Sequence, residues 1–255
     1  MNLVRCKYPD GTVKRFPLMD VSDYRDLLMI RADMDPRSEE EQKAIIEEVM
    51  ERYLPDVPKN YRPYVFCSIY LSSLGNTYVP LVVECPTCKK EIKINVNFEP
   101  KDISDIEVNT KYGIKLKIKY PEDDSNIVDH IQKNIISVQD SVKTYDWKEL
   151  SNEEKIAVIG AIDIDVMNEI LNKSNPIFKK ISIKCCGNPI DIEIRDMLTM
   201  FKLFIHKDEI NNFYMVNHRM ATMNYDIKSI MSMTPMERTV YLALIERDLK
   251  EAKNK

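Results

Sequence analysis

Two stretches far apart in the chain constrain it more than any other feature, because each sets a cysteine pair in the turn between two strands. Leu81-Val82-Val83-Glu84-Cys85-Pro86-Thr87-Cys88 runs on to Ile92-Lys93-Ile94, and Ile181-Ser182-Ile183-Lys184-Cys185-Cys186-Gly187 runs on to Ile190-Asp191-Ile192. The alternation of apolar and polar residues has the period of a half-buried strand. A Cys-x-x-Cys turn is the knuckle that presents two thiolates to one tetrahedral ion, and a structural zinc needs two further ligands. Cys185 and Cys186 stand in the equivalent turn, so the candidate ligand set is Cys85, Cys88, Cys185 and Cys186, with Zn2+ as the candidate ion. The second pair is irregular. A regular knuckle would put its first cysteine at 183, where this chain has Ile183, and adjacent strand residues point to opposite faces. Gly187 permits the backbone to turn between them. The competing reading is a set of reduced thiols with no metal. Cys6 and Cys67 are isolated and are expected in the core.

A thiol oxidoreductase using Cys85 and Cys88 is a further alternative. Such motifs place the first cysteine at a helix N-terminus, whose dipole lowers its pKa, whereas here a strand follows. Other catalytic signatures are missing. There is no Walker loop, nucleophile elbow, His-Glu-x-x-His or dinucleotide fingerprint. The histidines, His130, His206 and His218, have no ligand spacing; His206 and His218 are expected on helices as packed residues. Asp163 and Asp165 fall at a helix junction, where capping accounts for them. The chain is therefore expected not to be an enzyme.

Around the hairpins the reading is α+β: helices flank a small antiparallel sheet built around the two Cys-bearing hairpins. Residues 3–8 and 12–16 bracket Pro9-Asp10-Gly11 as an opening hairpin. Helices follow from Val21, from the capping box at Ser38, and over 62–73 before Gly75-Asn76. Residues 114–120 alternate as a strand with Lys115, Lys117 and Lys119 on the wet face. That row could touch phosphate, but it is read as the solvated face of an edge strand. The stretch 125–145 reads as a short helix and then a strand near 135–138. Ser151-x-x-Glu154 opens further helices that end before Pro176. The last third reads as helices over 197–206, 209–223 and 235–253, the last with Thr234 as cap, Pro235 at its first position and Glu237 completing the box. The expected division is 1–76, 77–195 and 196–255, or one compact domain.

That last third is rich in Met, which packs adaptably and serves both cores and partner surfaces. Candidate partner-binding residues are Met215, Met220, Met223, Tyr241, Leu244 and Ile245. A net charge of −4, from 37 basic and 41 acidic side chains, provides no general attraction to nucleic acid. The first residues lack the apolar core of a signal peptide and no window has the length of a membrane span, so a cytosolic protein with reduced cysteines is expected.

The order of these elements resembles the baseplate hub and hub-assembly proteins of T4-like contractile-tailed bacteriophages. The resemblance rests on the helical segment before strand–Cys-Pro-x-Cys–strand, the strand ending Lys119-Tyr120-Pro121, and the Ser151-Asn152-Glu153-Glu154 helix start. The second Cys-Gly hairpin and the closing Thr-Pro-Met-Glu-Arg helix complete it, over residues 60 to 250. The resemblance implies a non-enzymatic role at the centre of the tail baseplate, as a hub component or as a chaperone-like assembly factor. It implies other tail and baseplate hub proteins as partners. It also implies residence in the host cytoplasm during assembly, and in the virion baseplate if the protein is retained. It maps Cys85, Cys88 and Cys186 onto hairpin cysteines of the family. The alternative is a zinc-stabilised module that binds nucleic acid or protein.

Overall fold

The computed structural model describes residues 2–123 and 126–253. It begins with a hairpin, β1 (Leu3–Lys7) and β2 (Val13–Pro17), closed around Gly11 at φ 83°. Helix α1 (Val21–Met34) starts at Asp20, whose carboxylate accepts the amide of Asp23 while Asp23 returns the favour to the cap. Helix α2 (Glu39–Tyr53) has the same reciprocal arrangement between Ser38 and Glu41. Helix α3 (Arg62–Leu74) ends where Gly75 adopts φ 65°, under the side chain of Met236.

Strands β3 (Tyr78–Glu84) and β4 (Glu91–Asn97) form the first Cys ribbon. A four-stranded antiparallel meander follows, in the order β5 (Ile106–Asn109), β6 (Lys115–Ile118), β7 (Ile135–Gln139), β8 (Thr144–Asp146), with α4 (Ile127–Asn134) between β6 and β7. The start of the expected 125–145 segment, Ser125, lies outside the described residues. Helices α5 (Asn152–Gly160) and α6 (Ile164–Ser174) are capped by Ser151 and Asp163. The second Cys ribbon, β9 (Lys179–Cys185) and β10 (Asn188–Ile194), leads into α7 (Met197–Phe204). The chain closes with α8 (Glu209–Thr222), α9 (Ile227–Met231) and α10 (Pro235–Lys253). The α+β expectation holds, with the β structure of the described residues spread over four small antiparallel sheets; the Cys ribbons are two of them. Among the described residues no helix is long and apolar enough to cross a membrane.

The core is organised around α3, which is buried on nearly every side through Tyr64, Val65, Phe66, Cys67, Ile69, Tyr70 and Leu71. A helix apolar all round has to be enclosed. One buried apolar cluster runs from Cys6 in β1 to Phe213 in α8, so the segments 1–76, 77–195 and 196–255 share it. Both Cys ribbons reach α3 by way of α7. Phe98, just after β4, meets Phe204 edge to face at 5.5 Å, and Phe204 stacks on Tyr70 at 5.1 Å. Ile194 at the end of β10 is buried, and Phe201 packs 6.5 Å from Phe66. The hydroxyl of Tyr70 donates to the Phe204 carbonyl at 2.8 Å, pinning α7 to α3. The ribbons thus share an anchor at their bases. Their free ends are the tips.

Candidate metal centre

At the tip of the first ribbon the ladder ends with Glu84 opposite Glu91. Cys85 donates its amide to the Lys90 carbonyl at 3.0 Å, and Lys89 donates back to the Cys85 carbonyl at 2.9 Å. Lys89 takes φ 60° to close the loop. This fold-back aims the amides of Cys88 and Thr87 at the Cys85 sulfur. Chiefly through the Cys88 amide, they pull its thiol down to about 6, against the opposing effect of burial. A sulfur held this way is poised as a thiolate ligand.

At the tip of the second ribbon Cys185 pairs with Asn188, so the turn consists of Cys186 and Gly187 alone. Their φ values are 53° and 80°. Two consecutive positive φ angles are the mark of the tight hairpin turn that matches strand twist. In that geometry Cys186 no longer points opposite to Cys185, and their sulfurs lie 3.8 Å apart. The opposite-face problem raised by the sequence is solved by the left-handed turn.

The two tips meet. The sulfurs of Cys88 and Cys185 are 3.7 Å apart, and all four sulfurs of Cys85, Cys88, Cys185 and Cys186 lie within 4.8 Å of one another. Ligands on a tetrahedron with metal–sulfur bonds of about 2.3 Å are about 3.8 Å apart. The spacing and the all-thiolate donor set both fit a soft divalent ion of the zinc type. Crowding by neighbouring sulfurs, Cys85 foremost, pushes the Cys185 thiol up to about 12; the Cys186 thiol is raised too, chiefly by Cys88. Four sulfurs this close cannot all ionise without a cation among them, so loading would release protons.

The left-handed Cys186 gives a test with a change of sign. A non-glycine residue there costs about 1 kcal/mol, and glycine would relieve it. Cys186→Gly is expected to raise the melting temperature slightly when metal is stripped and to lower it by many degrees when zinc is supplied. Thermal melts with chelator and with zinc would show this. Equal effects under both conditions would contradict a ligand role.

The remaining sites are placed as follows. Cys6 and Cys67 are buried, and burial pushes their thiols up to about 11 and about 12. Lys115, Lys117 and Lys119 form ion pairs with Glu107, Asp105 and Glu122 at 2.6, 3.5 and 2.8 Å, but the expected edge strand is not one: β6 is paired with β5 on one side and β7 on the other. Asp163 caps α6 through the amides of Asp165 and Val166. His206 and His218 are both exposed, contrary to the packed positions expected for them. His206 lies beyond α7, which ends at Phe204 as Ile205 turns to extended backbone. His130 is bound to the Lys119 carbonyl at 2.8 Å. Two open clefts of about 680 and 740 Å³ have no histidine and none of the clustered cysteines in their linings.

In the last three helices, Met215 (66% exposed), Met223, Tyr241 and Leu244 (40%) face outward. Met220 and Ile245 do not: with Ile230 of α9 they form a small separate core, so they support the surface from beneath. The sequence reading passed over Ile227 and Val240, at 64% and 51% exposed. The signal for Val240 was available, since Met236, Val240 and Leu244 recur every four residues on one side of α10.

Residues 1–202 match the family described as T4 bacteriophage base plate protein. Residues 204–250 match the one described as baseplate hub assembly protein Gp51 C-terminal domain. No curated protein and no solved structure matches the chain.

Proposed function

The chain belongs to the T4 bacteriophage base plate protein family, and from that premise we propose that it is a non-enzymatic, chaperone-like factor in assembly of the tail baseplate hub. It works by protein–protein contact in the host cytoplasm. The observation that carries this reading is where the hub-assembly match falls: on residues 204–250, which include α8, α9 and α10 and the exposed Met215, Met223, Tyr241 and Leu244. Exposed apolar side chains clustered on one helical unit are the usual mark of a surface that takes a partner, and Met adapts to the partner's shape.

The test is complementation. A Met215→Glu, Leu244→Glu double variant changes only exposed positions and is expected to fold with unchanged circular dichroism. It should fail to support baseplate assembly in cells that lack the wild-type protein. Normal particle yields from the folded double variant would sink the contact-surface reading. As a factor rather than a component, the protein should also be absent from mass spectra of purified virions. Its presence there in stoichiometric amount would favour a retained hub subunit.

The second part of the proposal concerns the ion. Zinc held by Cys85, Cys88, Cys185 and Cys186 would supply structural cross-linking, because four protein thiolates leave no open position for a substrate or water. This arrangement also weighs against a thiol oxidoreductase, whose attacking sulfur has to be free. The ribbons, which both reach α3 by way of α7, would be joined at their tips as well. The α8–α10 surface would then sit on a stiffened frame.

A further inference from the structure

We propose that the cysteine cluster is also a disulfide-forming site, in which oxidation joins Cys88 to Cys185 and so keeps the two ribbons tied after metal coordination is lost. The inference rests on the metal reading only for the coordination that is given up; the cross-link itself rests on sulfur positions.

Three features select this pair. First, the Cys88 and Cys185 sulfurs are 3.7 Å apart. A disulfide needs about 2.05 Å, an approach within reach of side-chain rotation. Second, access is uneven: Cys88 is exposed and Cys185 half-buried, while Cys85 is buried. Third, the Cys185–Cys186 pair, though 3.8 Å apart, is adjacent in sequence. Bonding it would close a small ring around a peptide bond inside a turn already at positive φ.

The chemistry needs a hydroperoxide as oxidant. The Cys88 thiolate, once it has dissociated from the ion, attacks one peroxide oxygen and the O–O bond breaks. The departing oxygen takes a proton as water, and Cys88 becomes a sulfenic acid. The Cys185 thiolate then attacks the Cys88 sulfur, forming the S–S bond and expelling hydroxide, which is protonated to a second water. Two thiolates, one hydrogen peroxide and two protons give one disulfide and two waters. The sulfurs lose two electrons and the peroxide gains them. With two of four ligands consumed, tetrahedral coordination fails. The new bond links residues 97 apart in sequence, as the ion would. The same clasp can thus be closed by metal in a reducing compartment and by a covalent bond in an oxidising one.

The experiment uses the full chain, purified under reductant, with its zinc content measured before treatment with hydrogen peroxide. Released zinc is followed with a chromogenic chelator, and non-reduced proteolytic peptides are mapped by mass spectrometry. The expected result is loss of the ion together with a Cys88–Cys185 peptide pair, after which chelator no longer shifts the melting temperature. A Cys85–Cys88 or Cys185–Cys186 disulfide, or sulfinic acids without a cross-link, would overturn the proposal. The two readings fail separately. A protein without zinc that forms the Cys88–Cys185 link refutes the metal and upholds the disulfide. Zinc release without that link does the reverse.

Discussion

Replacing Cys88 or Cys186 with serine is expected to destabilise the zinc-loaded protein by about 4 kcal/mol in either case, because each variant opens the same clasp. The magnitude follows from the chain closed by it. Cys88 and Cys185 are 97 residues apart, and a cross-link over about 100 residues removes about 4.7 kcal/mol of unfolded-chain entropy. The whole fold holds only about 5–15 kcal/mol for a typical domain, so such a loss brings it close to unfolding. Urea titrations of the two variants should give similar midpoint shifts. In excess chelator both variants should instead resemble the wild type. A large loss that persists in chelator would mean that these cysteines matter for packing and not for coordination.

The second large effect belongs to the common root of the ribbons. Phe201 is fully buried on α7, beside Phe66 of α3. Phe201→Ala removes most of a ring from a close-packed site and leaves a cavity, at a cost of about 3–5 kcal/mol. Unlike the cysteine variants, Phe201→Ala should lose the same stability with and without zinc, since no ligand is touched. Denaturant midpoints measured in both conditions check this. A loss confined to the zinc-loaded form would show that root and tips are not independent supports.

Much of this architecture was legible in the sequence where its cause is local. The helix starts at Ser38, Ser151 and Thr234 are written in a hydroxyl followed three residues later by Glu, and each forms the reciprocal pair. The alternating ribbons were legible for the same reason. Strands β5 and β8 were not, because four and three residues are too short to show a period of two, and their pairing is set by β6 and β7. Helix α9, with five residues, was missed likewise. That omission had a consequence: Ile230 on α9 closes the small core that takes Met220 and Ile245 away from the surface. At the candidate metal centre the four cysteines that come together could be read from the chain. The left-handed Cys186 could not, since it follows from the exact two-residue length of the turn in the β9–β10 register.

Elemental analysis of the purified protein, paired with a melt before and after chelation, tests the central claim most directly. The four-sulfur clasp predicts one zinc per chain and a clear fall in melting temperature when it is removed. A protein that contains no zinc, and whose melting is indifferent to chelator, would contradict it.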